Sequence, residues 1–84
     1  MTCIVEGFAS KKALKECLRA FGPGPVDTRL DFYISNPSPF PAGAYEYAGM
    51  ASKLPVGKKV IVTNHPKRSW FATIERTVQG WRVT

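Results

Sequence analysis

The chain has little cysteine and no long apolar run. Its two cysteines, Cys3 and Cys17, are fewer than a small secreted disulfide scaffold carries, so we expect reduced thiols in a cytoplasmic protein. No apolar stretch approaches the roughly 20 residues of a membrane helix, and we expect no membrane partner. The first residues also lack the basic segment and apolar core of a signal peptide.

Groups suited to catalysis or metal binding are also scarce. His65 is the only histidine, neither cysteine stands at motif spacing from it, and a zinc site needs about four ligands. Ser69 lacks the spacing of a nucleophile paired with His65. Asp27 and Asp31 flank Arg29 on a predicted strand, which is typical of a charge ladder rather than an acid–base pair. We therefore expect no metal, no cofactor and no catalysis.

Positive charge is what the sequence has in excess, and it is confined to one part. The 84 residues carry a net charge of +6. Residues 53–84 hold seven basic side chains and one acid, whereas residues 1–52 hold five of each. Such a one-sided distribution attracts anions.

One helix is clearly predicted. From Ser10 to Phe21 the apolar side chains fall on one side of a helical wheel and the basic ones on the other. Ser10 is suited to cap the first turn, and the Gly-Pro-Gly-Pro sequence at 22–25 ends the helix. Cys17 lies in the middle of the apolar arc, so we expect its thiol to be buried.

Short alternating or β-branched apolar runs predict the strands, at residues 2–8, 26–34, 58–64, 70–77 and 81–84. Residues 44–52 fit a short helix and an irregular segment equally, because Gly49 disfavours a helix. The order of elements predicts one small α+β domain over residues 1–84. It has one main amphipathic helix packed on a mostly antiparallel sheet, with a C-terminal three-strand meander.

The meander consists of short apolar runs separated by turns. It is similar to the barrel hairpins of SH3-like domains in the runs Val56-Gly57, Val60-Ile61-Val62, Trp70-Phe71-Ala72 and Gly80-Trp81-Arg82-Val83. These runs cover about a third of the chain, and the same pattern is expected of any β-meander.

The length of the loop before Trp70 decides which side chains share a face. A five-residue loop at 65–69 places Val62 opposite Ala72 and gives the meander a coherent apolar face, whereas a four-residue loop mixes both faces. Pro66 cannot donate a ladder hydrogen bond, which favours the longer loop. We therefore expect Trp70 to be at least partly buried.

In this phase Phe71 points away from the core, flanked by Lys59 and with Arg82 near. Nucleic-acid-binding proteins combine cations, which neutralise phosphates, with aromatic faces on which bases stack. The candidate contact residues are the basic side chains of the meander and one ring, namely Lys58, Lys59, Lys67, Arg68, Arg82 and Phe71, with Tyr33 as an alternative ring. A solvated surface that only aids solubility explains the same charge.

Two lysines stand where the helix dipole disfavours them. Lys11 and Lys12 lie in the first turn of the predicted helix, at a cost of ~0.3–1 kcal/mol each when exposed. Free N–H groups beside two ammonium groups would suit a phosphate, so both lysines are candidate anion ligands. An exposed solubilising face is the simpler explanation.

The segment from Pro37 to Tyr47 holds the remaining aromatic candidates, Phe40, Tyr45 and Tyr47. Aromatic side chains on a proline-stiffened loop can anchor a protein partner, and they can equally close the core.

Two functions follow from these features. The first is a non-catalytic protein that binds an anionic partner, nucleic acid or a nucleoprotein or acidic protein surface, through the meander. The alternative is a protein-directed inhibitor or adaptor, of the kind that phages and other mobile elements encode, which blocks a host enzyme such as a nuclease or polymerase.

Overall fold

The described part of the fold consists of short strands around a single α-helix. The computed structural model describes residues 2–21, 30–37, 41 and 43–84. Within these ranges the elements are β1 Cys3–Val5, α1 Lys11–Phe21, β2 Tyr33–Ile34, β3 Gly49–Met50, a 3-10 turn at Ala51–Lys53, β4 Lys59–Asn64, β5 Phe71–Thr77 and β6 Gly80–Val83.

Four strands form one sheet in the order β1-β4-β5-β6. The consecutive strands β4, β5 and β6 are antiparallel neighbours, so the predicted meander is confirmed. β1 lies on the other side of β4 and runs parallel to it, with Cys3 beside Val62. β2 and β3 form a separate antiparallel pair, which meets β1 through a bridge between Ile4 and Ser35.

The register of β4 and β5 agrees with the longer of the two loops. Val62 lies opposite Ala72, and the buried Asn64 holds the loop between the strands. The Asn64 side-chain oxygen accepts the N–H of Ser69 at 2.8 Å and that of Trp70 at 3.4 Å. These bonds satisfy an amide that would otherwise be costly to bury.

The core lies between α1 and one face of the sheet. Its buried apolar side chains are Cys3, Val5, Leu14, Leu18, Phe21, Ile34, Ala51, Leu54, Val60, Val62, Ala72 and Ile74. The hydroxyl of Ser10 accepts the N–H of Ala13 at 3.1 Å, so the predicted N-cap of α1 is confirmed. The α+β class, with one helix and a mostly antiparallel sheet, is confirmed as well.

Cys17 is half-buried rather than buried. The buried side chains of α1 are Leu14, Leu18 and Phe21. At 100° per residue they span an arc from about 280° to about 340°, counted from Lys11, and Cys17 lies outside it at about 240°. Its thiol donates to the carbonyl oxygen of Leu30 at 3.6 Å, at the margin of the core.

Two further segment predictions need correction. Only Tyr33–Ile34 of the predicted strand 26–34 is a strand among the described residues, and residues 26–29 lie outside them. Asp31 lies outside β2, and its Oδ1 accepts the N–H of Phe32 at 2.9 Å and that of Ser52 at 3.0 Å.

The short helix considered at 44–52 is absent. Gly49 has φ of 148° and pairs in β3 with Ile34. A Cβ at Gly49 would lie 2.8 Å from the hydroxyl of Tyr47, so the position requires glycine.

Candidate functional site

The sheet face opposite α1 carries no helix among the described residues. We call it the open face, and its side chains on the four strands are Ile4, Lys59, Ile61, Thr63, Phe71, Thr73, Glu75 and Arg82. Phe71 stands out because its ring is 56% exposed. Exposing that much aromatic surface forgoes hydrophobic stabilisation, which a ligand that covers the ring would restore.

The surroundings of Phe71 differ in part from the prediction. Phe71 lies opposite Thr63, and Ile4 lies beyond Thr63 on β1. Lys59 instead lies opposite Glu75, four residues further along β5 and about 13 Å from Phe71. The expectation that Lys59 flanks Phe71 was wrong, because antiparallel pairing brings the start of β4 to the end of β5.

Two cations lie at that far end of the open face. Glu75 is opposite both Lys59 on β4 and Arg82 on β6. The Arg82 guanidinium lies 3.8 Å from the Glu75 carboxylate, with the arginine side chain 70% exposed. Glu75 therefore offsets part of the local positive charge, and Arg82 does not come near Phe71.

Two other cations precede Phe71 in the chain. Lys67 and Arg68 belong to the loop that precedes β5, and both are exposed. Arg68 has φ of 49°, and its N–H donates to the carbonyl of Asn64 at 2.9 Å. Neither cation forms an ion pair with any residue in the described ranges. The loop thus carries two unneutralised charges close to Phe71 in the chain, and Lys67 also lines a cleft with Phe8 and Ala9.

Lys58 has a structural role that the sequence did not indicate. Its ammonium group donates to the carbonyl oxygens of Gly43 at 3.0 Å and Ala44 at 2.9 Å. Two of its three N–H donors are therefore engaged within the chain. A phosphate at Lys58 would compete with these bonds.

The helix lysines do not join the open face. Lys11 and Lys12 lie on α1, which packs on the opposite side of the sheet. The ammonium group of Lys11 donates to the carbonyl of Thr84, whereas Lys12 is exposed. The structure therefore separates these two candidates from the ring of Phe71.

A second exposed aromatic ring extends the open face beyond β1. Tyr33 is 56% exposed, as its predicted strand phase implies. It lines a cleft of about 390 Å³, together with Ile4, Glu6, Ser35 and His65. The cleft depends on the bridge between β1 and residue 35, a long-range pairing without a local sequence signal. From the strand spacing, Tyr33 and Phe71 lie roughly 15 Å apart.

The aromatic loop has mixed roles. Tyr45 is 50% exposed, and its carbonyl accepts the N–H of Ile61 at 3.1 Å. Tyr47 is half-buried and its hydroxyl donates to the carbonyl of Met50 at 3.0 Å, which indicates a structural role. Burial raises the pKa of the Tyr47 hydroxyl. Phe40 lies outside the described residues.

The described ranges hold no group of three or more His, Cys, Asp or Glu side chains arranged for a metal ion. Both cysteines are free thiols. Burial raises the pKa of Cys3, partly offset by the N–H of Tyr47, and burial also raises the pKa of Cys17. Both thiols are thus less reactive than an ordinary cysteine at neutral pH.

Comparison with protein-family models, curated proteins and solved structures finds no match for the chain. In the part of the chain that the structure describes, no helix has the length and apolar character needed to cross a membrane. The fold itself defines an α+β domain in which a helix covers one face of the sheet and leaves aromatic rings and cations on the other.

Proposed function

We propose that the protein binds single-stranded nucleic acid across its open face and has no catalytic role. Bases stack on Phe71 and on Tyr33, while Lys67 and Arg68 neutralise phosphates beside Phe71. We place this function in the cytoplasm, where two free cysteines remain reduced.

The exposed ring of Phe71, preceded by a loop with two unpaired cations, carries the proposal. Base stacking needs an accessible aromatic face, and Phe71 is 56% exposed on a strand whose pairing fixes its direction. Phosphate binding needs cations that are free of acidic partners, a condition that Lys67 and Arg68 meet among the described residues. Lys59 and Arg82 extend the track toward the far end of the face, with weaker attraction because Glu75 lies between them.

The geometry favours single strands over a duplex. A nucleic-acid duplex hides its base faces, whereas an unpaired strand can place them on exposed rings. The roughly 15 Å between Tyr33 and Phe71 leaves room for a short run of nucleotides between the two rings. The cleft beside Tyr33 offers the carboxylate of Glu6 and the hydroxyl of Ser35 to base edges.

A protein-directed inhibitor or adaptor is less well supported. Of the three aromatic residues assigned to such a contact, Tyr47 is engaged with Met50 and Phe40 lies outside the described residues. Of the two that the structure describes, Tyr45 alone presents an exposed ring. A single ring is a weak basis for a protein interface, in which anchors normally cluster.

Fluorescence anisotropy with labelled oligothymidylate and oligouridylate of about 15 nucleotides tests the proposal, over a range of salt concentrations. We expect Phe71→Ala to weaken binding by ~1–3 kcal/mol. The charge reversals Lys67→Glu and Arg68→Glu should each weaken binding and flatten the log–log salt slope by ~0.7 per lost contact.

Lys53→Glu is the matched control. It makes the same charge change at an exposed lysine in the 3-10 turn, away from the open face. If Lys53→Glu weakens binding as much as Lys67→Glu, the interaction reflects net charge alone. If no oligonucleotide binds at low salt, the proposal fails.

A further inference from the structure

The outer edge of β6 has peptide groups that point away from the sheet. β6 pairs with β5 alone among the described strands. The N–H of Thr84 donates to the carbonyl of Thr73 at 2.9 Å. In an antiparallel pair every second residue bonds to the partner strand, so Thr84 and Arg82 direct their peptide groups toward β5. It follows that Trp81 and Val83 direct their N–H and C=O groups outward. None of the described residues bonds to these outward groups.

A groove runs along this edge, between β6 and α1. Its volume is about 400 Å³, and its apolar floor includes Leu18, Trp81 and Val83. The Trp81 ring packs edge-on against Phe21, with ring centroids 5.6 Å apart, so the floor is held in place by the core. A strand added to β6 would lie about 4.8 Å further out, with alternate side chains directed into the groove.

The charge of the groove is positive. Lys15 and Arg19 stand one turn apart on α1, both are exposed, and both line the groove. The described residues of the lining include no acidic side chain. Arg82 lies on the other face of the same edge strand, so cations flank both sides of an added strand. Acidic side chains on a ligand would therefore be attracted from either side.

We infer that this edge binds an extended acidic peptide from a partner protein, which pairs with β6 as an additional strand. The outward peptide groups of Trp81 and Val83 supply main-chain hydrogen bonds, and the groove takes alternate side chains. Lys15, Arg19 and Arg82 select aspartate and glutamate. Nucleic acid suits this edge less well, because the Trp81 ring is packed between Phe21 and the Arg76 guanidinium, 5.7 Å from its centroid.

The site shares only Arg82 with the proposed nucleic-acid site. It lies along the edge of the sheet and the helix side, whereas Phe71 lies on the open face. Phe71→Ala should therefore leave peptide binding unchanged, and Lys15→Glu/Arg19→Glu should leave oligonucleotide binding nearly unchanged apart from its net-charge effect. If binding at one site is not found, the proposal for the other site can still be tested.

The test uses the full chain and three fluorescein-labelled peptides of about ten residues, a length that spans an edge strand. One alternates glutamate and valine, the second replaces glutamate by lysine, and the third carries N-methyl groups on alternate amides of the acidic sequence. We expect only the first to bind well, with the N-methyl peptide and the Lys15→Glu/Arg19→Glu variant each about tenfold weaker or more. Lys53→Glu serves again as the control.

Val83→Pro tests the edge of β6 directly. It removes an outward N–H that makes no bond within the sheet, a position where an edge strand tolerates proline. We expect weaker binding of the acidic peptide, with a modest loss of thermal stability because the Val83 side chain packs against the core. If this variant does not fold, the N-methyl peptide still tests the same bonds on the wild-type chain. Equal binding of the N-methyl peptide, no binding of the acidic peptide, or displacement of it by an oligonucleotide would each overturn the inference.

Discussion

Trp70 and Phe71 are neighbours in the chain, yet their rings lie on opposite faces of the sheet. The indole N–H of Trp70 donates to the carbonyl of Phe8 at 3.3 Å, and its ring packs against the core. The ring of Phe71 is 56% exposed on the open face. One ring therefore contributes to stability and the other is free to contact a ligand.

This difference predicts opposite effects of two alanine substitutions. Trp70→Ala should lower the free energy of unfolding by about 2–4 kcal/mol, somewhat less than for a fully buried tryptophan because the ring is half-buried. Phe71→Ala should lower the free energy of unfolding by less than about 1 kcal/mol. Urea unfolding followed by circular dichroism measures both. A larger loss for Phe71→Ala than for Trp70→Ala would contradict the register of β4 and β5.

The carboxylate of Asp31 joins the segment before β2 to the 3-10 turn. Its Oδ1 accepts the Ser52 N–H at 3.0 Å, and its Oδ2 accepts the Ser52 hydroxyl at 2.6 Å. Asp31→Ala leaves these donors without their acceptor and should lower stability by about 1–3 kcal/mol. Thermal and urea unfolding would show the loss. Glu16→Ala, at an exposed position of α1, is the control and should change stability by less than about 0.5 kcal/mol.

The two thiols should react at different rates. Cys3 is fully buried, whereas Cys17 is half-buried. Because the thiolate is the reactive form and needs access to reagent, a disulfide reagent at neutral pH should label Cys17 first and Cys3 only as the protein opens. Mass spectrometry of the time course identifies the labelled residue. Equal rates in the native protein would show that β1 is not held in the sheet.

The same burial of Cys3 predicts an alkaline loss of stability. Its pKa is raised above the ordinary value of 9.0, mainly by burial, so the folded state holds the proton more tightly than the unfolded state. The contribution to stability is complete below about pH 9 and declines as the pH rises through the folded-state pKa. Cys3→Ala should reduce this decline, which urea unfolding at a series of pH values would measure.

Local patterns predicted the elements whose partners are near in sequence. The period of α1, its Ser10 cap and the pairing of Val62 with Ala72 all follow from residues within about 20 positions of one another. The pattern of apolar and polar residues, together with the loop length, is enough to predict such contacts. The exposure of Phe71 was therefore predictable, because the pairing of Val62 with Ala72 directs the next side chain, that of Phe71, to the opposite face.

Features that depend on distant partners were not predictable. The carboxylate of Asp31 bonds to Ser52, 21 residues away, and the ammonium group of Lys58 bonds to the carbonyl of Gly43, 15 residues away. The secondary-structure propensity of an aspartate or a lysine carries no information about which distant group it will bond to. For the same reason, the cleft at Tyr33 could not be found from the sequence.

The parallel pairing of β1 with β4 has a consequence for how the chain folds. Residues 3–5 pair along their whole length only with residues 62–64, most of the chain away, whereas their contact with the nearer segment is the single bridge between Ile4 and Ser35. Loops of this length are slow to close, so the β4–β5–β6 hairpins and α1 can form well before the sheet is complete. We therefore expect the pairing of β1 with β4 to form late and to complete the burial of Cys3 and Val5 in the core.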